Sequence, residues 1–208
     1  MTIQHHQKPK SPMDTRRYVL LTLTVCMLAT CIGCKTVEVS YDPGVAPAPT
    51  LPCPVALSLS KEFTTYEGVN SDKVLAGEVV HAPFGPALQK YATYVAQSVF
   101  GDVQVLDGQP LRSDAKLLLV PRVTNSRLEP PVGNVRITAG NLGVHWDFND
   151  PKTGQTLFSM LIESESSQSH IRFDARFSAV CEGLMTNLTS LTIQRFNASK
   201  EIQRLSGH

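Results

Sequence analysis

The chain has 208 residues, enough for one domain with an appendage, and its 42% apolar and 18% charged residues are the balance of a globular protein, which excludes wholesale disorder. A formal charge of +1 and a pI near 7.7 leave no global basic field to draw it to nucleic acid. The charge is also uneven: Lys8, Lys10, Arg16 and Arg17 against Asp14 fall in the first 33 residues, so the remainder holds fifteen basic and seventeen acidic residues, net −2.

Residues 1–17 are polar and end in Arg16 and Arg17, after which Tyr18 to Ile32 run without a charge through Val19, Leu20, Leu21, Leu23, Val25, Met27 and Leu28. A basic leader and an apolar run of about 15 residues, too short to span a hydrocarbon core of roughly 30 Å, predict a signal peptide over residues 1–33. A plain transmembrane anchor is the competing reading. Arg16 and Arg17 before Tyr18, Val19 and Leu20 also look like a twin-arginine export signal, although paired basic residues occur in any such leader.

The run closes on Leu28, Ala29, Thr30, Cys31, Ile32, Gly33 and Cys34 and turns polar at Lys35. This resembles a bacterial lipobox, whose cysteine is acylated and becomes the mature N-terminus. Two registers compete. Cys34 follows the small Gly33 but has Cys31 three places back, whereas Cys31 has the better Leu28 and Ala29 but follows Thr30. Cys34 is the favoured lipidation site. Each buried acyl methylene contributes roughly 0.8 kcal/mol, so several chains on one cysteine hold a soluble domain at a bilayer. In this resemblance an Asp after the cysteine retains a lipoprotein in the inner membrane; Lys35 is not Asp, which implies the outer membrane, periplasmic face.

Residues 34–53 carry little to bury, and five prolines from Pro43 to Pro54 predict a semi-rigid spacer that holds the domain off the membrane. A single domain is expected over 54–196. Val55, Leu57 and Leu59 alternate with Ala56, Ser58 and Ser60 as a first strand, with Phe63 and Tyr66 extending it. Residues 67–82 read as a mixed loop or hairpin with a short strand at Val79 and Val80. Phe84, Leu88, Tyr91, Val95 and Val99 form the stripe of a helix that Pro83 and Pro86 start and Gly101 ends. Val103 and Val105 give a short strand beside it.

Ala115 to Leu128 begins as an unbroken apolar run and continues as alternation, the habit of a central strand that emerges toward an edge, with Pro121 needing a bulge or an unpaired position. Val135, Ile137, Leu142, Val144, Trp146 and Phe148 predict a long strand with a register change near Gly140. Asn149 to Gly154 is a hairpin turn, and Leu157, Ser159, Leu161, Glu163 and Glu165 alternate with Phe158, Met160 and Ile162 in the returning strand. Phe173, Phe177, Val180, Leu184, Leu188 and Leu191 form the stripe of a last helix, and residues 197–208 read as a polar tail. One apolar face per element predicts an α+β fold, ordered β-α-β-β-β-β-α, with a mostly antiparallel sheet and both helices on one of its faces.

The lipobox, the proline-rich stretch, the helix FGPALQKYATYVAQSVF followed at once by VQVLD, then AKLLLVPRV, VHWDFNDPKTGQTLFS and a terminal helix resemble envelope lipoproteins built on the fold of the TolB N-terminal domain. That group includes the ABC-transport auxiliary lipoproteins and the curli-export lipoproteins. The resemblance covers about residues 54–195, lies in element order and phrase, and carries no family functional residue onto a numbered position.

The candidate chemistry is sparse. His81, His145 and His170, the histidines of the domain, stand at no metal-ligand spacing with another His or Cys, and no Ser lies in a nucleophile-elbow sequence, so neither a metal nor a catalytic residue is expected. Glu163 and Glu165 share a strand face, but in the run ESESSQS they read as a solvated face. Trp146 is expected in a core or sheet-face role instead of as a stacking platform, and Arg122, Arg127 and Arg136 as scattered charge instead of an anion site. Cys53 and Cys181, the cysteines left after signal removal and acylation, are a candidate disulfide that would close a loop of about 130 residues; the alternative is two free thiols. The expected protein is non-enzymatic, needs no cofactor, small-molecule substrate or nucleic acid, and serves as an accessory or assembly factor of an envelope machine, bound to the membrane by lipid and to an envelope protein partner. The alternative is an oligomerising outer-membrane pore subunit of the curli-export type, for which the hairpin 134–167 is the candidate barrel segment. A hydrolase is a third reading.

Overall fold

Period-two alternation and helical stripes become strands and helices where expected, and tertiary pairing then arranges them. The computed structural model describes residues 35–69, 80–129, 137–169 and 173–207. The strands are β1 (Lys35–Thr36), β2 (Val55–Ser58), β3 (Glu67–Val69), β4 (Val80–Pro83), β5 (Val103–Leu106), β6 (Leu117–Glu129), β7 (Ile137–Asn149) and β8 (Thr156–Ser169). The helices are α1 (Lys61–Thr64), α2 (Gly85–Phe100), α3 (Phe173–Ala198) and α4 (Lys200–Ser206).

The main sheet has five strands in the order β5-β2-β6-β7-β8. β2 runs parallel to both neighbours, with Val55 opposite Val103 on one side and Leu117 on the other. The long strands β6, β7 and β8 form an antiparallel meander that carries most of the pairing. The fold is therefore the α+β class expected, mostly antiparallel, with a short parallel corner. A small second sheet pairs β4 with β1 in parallel and with β3 in antiparallel.

One face of the main sheet is the core face. Leu142, Val144, Trp146 and Phe148 of β7 are fully buried beneath α2 and α3, each contributing roughly 1.5–3 kcal/mol from its removal from water. Phe196 of α3 sits edge-on to Trp146 and Phe148, with ring centroids 5.2 and 5.1 Å away. A relay of hydrogen bonds crosses this core. Trp146 Nε1 donates to Tyr91 Oη (3.0 Å), Tyr91 Oη to Thr192 Oγ1 (2.7 Å), and Thr192 Oγ1 to the Leu188 carbonyl (2.6 Å). Gly183 lets α3 approach β8, since a Cβ there would stand 2.3 Å from Ser166 Oγ. Gly101 ends α2 at φ +78°, as expected of a glycine after a helix.

Several expectations change. Phe63 does not extend β2, because Ser60 caps α1 by accepting from the Phe63 N–H (3.2 Å) and Phe63 turns into the core. The β6 pairing with β2 ends at Leu119, so Pro121 sits where no neighbour on that side needs its missing N–H. No register change occurs at Gly140. β7 keeps one parity, with Thr138 and Gly140 inward, and the irregularities fall at Val123/Asn125 and Phe148/Asn149.

The stretch read as a spacer is docked, and Lys35–His208 forms one compact unit. Val37, Tyr41, Leu51 and Cys53 are buried, Leu51 N–H donates to the Val99 carbonyl (2.8 Å), and Tyr41 Oη bonds Thr189 Oγ1. Proline supplies extended backbone here, and four apolar side chains, Val37 and Tyr41 ahead of the prolines and Leu51 and Cys53 among them, strap it across α2 and α3. Of the stretch read as a polar tail, residues 197–207 are likewise not loose: Ser199 caps α4, which buries Ile202. The signal segment 1–33 and Cys34 lie outside the described residues.

Candidate functional site

The outer face of the meander, opposite Trp146, gathers the polar side chains that can meet a partner. The turn Asn149 to Gly154 sets the register of β8 on β7: Asp150 Oδ1 accepts from the Lys152 N–H (2.7 Å), and the Gly154 N–H donates to the Asp150 carbonyl (2.8 Å). That register places Ser159 opposite Asp147 and Leu161 opposite His145, while β6 brings Arg122 opposite His145. Ser159 Oγ donates to Asp147 Oδ1 (2.7 Å), Arg122 Nη2 pairs with Asp147 Oδ2 (2.6 Å), and His145 Nδ1 lies 3.4 Å from both Asp147 Oδ1 and Arg122 Nη2.

The order of these contacts limits their chemistry. Nucleophilic serine catalysis needs a base between serine and carboxylate. Here Asp147 is the hub, its charge neutralised by Arg122, and Ser159 points its proton at that carboxylate instead of at His145. The cluster orders the sheet surface and offers Arg122 and His145 to solvent. It contains no activated nucleophile. Farther along the meander a polar groove of about 560 Å³ is lined by Arg127, Asn141, Glu165, Gln168, Gly183 and Asn187. Asn187 Nδ2 donates to the Glu165 carbonyl (2.8 Å), and Arg127 is held by Glu129 (3.1 Å).

The other sequence candidates are dispersed. His81 faces Glu67 at 3.6 Å, and His170 and Arg136 lie outside the described residues. Arg122 and Arg127 each pair with an acid, so they form no joint anion site. Glu163 accepts from Asn125 Nδ2 (3.1 Å), and both Glu163 and Glu165 are exposed. Among the described residues no group of His, Cys, Asp and Glu is placed to hold a metal, and no helix is long and apolar enough to cross a membrane. Trp146 is buried, as expected.

Cys53 and Cys181 are both free and buried, so of the two alternatives the structure has the free thiols and not the candidate bridge. The strand order explains it. Cys53 leads into β2, its N–H on the Phe100 carbonyl, whereas α3 carries Cys181 over β7 and β8, with β6 in between. Burial pushes the Cys181 thiol up to about 12 and raises that of Cys53, where Lys116 opposes the effect.

No family model and no curated protein matches the sequence. The fold has known company. A crystal structure of a Xanthomonas campestris protein of the DUF330 family matches with a TM-score of 0.52 and 11% identity, over 78% of this chain and 93% of that one. A candidate lipoprotein from Caulobacter crescentus (TM-score 0.40, 12% identity, 59% and 86% covered) and a minor lipoprotein from Acinetobacter baumannii (0.36, 16%, 67% and 92%) are more distant. At 11% identity the likeness to the Xanthomonas campestris protein is one of fold alone.

The Arg122, Asp147 and Ser159 cluster is not marked by any motif. Its one sequence signal is the turn at 149–154, which pairs Asp147 with Ser159 once the hairpin register is counted out from it.

Proposed function

We propose that this chain is an exported lipoprotein, acylated at Cys34, whose domain serves without catalysis as an accessory or assembly component of an envelope machine at the periplasmic face of the outer membrane. The observation that carries the reading is the junction at Cys34: a lipobox-like run ends there, and the compact unit begins at the next residue, with β1 at Lys35. An acyl group on Cys34 would hold the small sheet within a residue or two of the lipid, so the domain works close against the membrane and not at the end of a spacer. The hub position of Asp147 supports a binding role over a hydrolytic one. The pore reading has no support in the meander, whose inner face packs on α3 and whose outer face carries Arg122, Asp147, Glu163 and Glu165.

The test is metabolic palmitate labelling with membrane fractionation of the full chain. Cys34→Ala should lose the label and release the protein from the outer-membrane fraction. Label retained in Cys34→Ala and lost in Cys31→Ala would move the site, label retained in both would overturn Cys34 as the one acceptor, and no label on the wild-type chain would end the lipoprotein reading.

A further inference from the structure

β8 is an edge strand of 14 residues, and among the described residues its outer side pairs with no other strand. Long edges are normally blunted by charge, proline or cover. The half of β8 nearer Glu165 is managed in this way: Glu163 and Glu165 charge it, and Asn187 of α3 satisfies the Glu165 carbonyl. The half nearer the turn is not. Thr153 to Ile162 contains neither a charge nor a proline, Leu157 and Leu161 are 47% and 49% exposed, and Phe158 and Met160 are only half-buried although they face the core. The irregularity at Phe148/Asn149 lies at the turn end and leaves Phe158 to Ile162 regular.

We propose that this edge is a self-association surface, on which a second copy of the chain adds its own β8 in antiparallel, about a two-fold axis at Ser159. The sequence of the edge selects this occupant and this register. Centred on Ser159, Leu157 of each copy meets Leu161 of the other, Phe158 meets Met160, and Glu163 meets the neutral Gln155. The turn carrying Lys152 comes level with Glu165 and Ser166 of the second copy, so unlike charges meet at both ends. A parallel arrangement in register would stack Glu163 on Glu163 and Glu165 on Glu165. An antiparallel axis moved to Leu161 would set Glu165 against Leu157, and one moved to Glu163 would oppose two carboxylates. One strand pair covers less than the roughly 800 Å² per partner of a standard interface, so the association is weak in dilute solution and favoured where copies are concentrated. The inference stands on the sheet alone and does not depend on lipidation.

The experiment is cross-linking of the full chain in whole cells with a short bis-maleimide. In the proposed dimer the two Ser159 backbones lie about 5 Å apart, whereas the two Glu165 lie about 40 Å apart. Ser159→Cys should therefore give a species of twice the monomer mass, and Glu165→Cys should not exceed the background of the wild-type chain with its native cysteines. Adding Leu161→Lys to Ser159→Cys should reduce the dimer band about tenfold by opposing a lysine to the Leu157 of each partner. All three positions are exposed; Ser159→Cys gives up one hydrogen bond to Asp147, whose carboxylate keeps its pairing with Arg122. No dimer with Ser159→Cys, equal yields at 159 and 165, or a cross-linked species of a different mass would each overturn self-pairing, the last by showing that another protein takes the edge.

Discussion

The hydrogen-bond relay through Tyr91 offers the sharpest test of the core. Tyr91→Phe keeps the ring in place against Trp146, where the two centroids are 5.9 Å apart, and deletes the one oxygen that both accepts from Trp146 Nε1 and donates to Thr192. Thr192 keeps its bond to the Leu188 carbonyl, so the group left without a partner is the indole N–H, fully buried. An unsatisfied buried donor costs about 1–3 kcal/mol, which for a domain of this length lowers Tm by about 4–8 °C at the middle of that range. Trp146 is the only tryptophan of the chain, so its fluorescence during urea unfolding reports the same site that is perturbed. Thr192→Val removes the other end of the relay, and the double variant should lose less than the sum of the two single losses, because both act on one shared bond. A Tyr91→Phe protein within about 0.5 kcal/mol of wild type, or strict additivity in the double variant, would refute the relay as a stabilising unit.

Two further outcomes follow from burial. Burial raises the ionisation of Cys53 and Cys181 above the ordinary 9.0 and of Tyr41 and Tyr91 above 10.0, so at high pH the unfolded chain releases protons that the folded chain keeps; the contribution of these groups should be fully present below about pH 8 and stability should decline as pH rises past 9, and urea midpoints between about pH 8 and 11 should show a shallower decline in Cys181→Ala. Because Val37, Tyr41, Leu51 and Cys53 are buried, a chain starting at Lys35 should melt cooperatively, while one starting at Pro54 loses four core side chains at roughly 1.5–3 kcal/mol each and should melt far lower or without cooperativity; equal melting of the two would show that the strap is not structural.

The sequence by itself determined the elements whose pattern repeats within a few residues. The stripe of α2, the turn at Asn149 to Gly154 and the alternation on either side of it, and the stripe from Phe177 to Leu191 all state locally which face is apolar, and burial of that face leaves one secondary structure to adopt. The lipobox-like run to Cys34 is equally local, and the lipidation reading rests on it. What needed the tertiary structure was every pairing across distance. Only the assembled sheet puts β2 between β5 and β6, which separates Cys53 from Cys181, excuses Pro121 and leaves β8 at the edge. Residues 35–53 looked like a spacer because prolines at Pro47, Pro49 and Pro52 set backbone shape but are silent about contact; the few apolar residues among them gain a core only where α2 and α3 already lie side by side. The Asp147 cluster is of the same kind, since Arg122, His145 and Ser159 come from three strands, and a single strand's alternation says which face a side chain takes but not which neighbour it meets there.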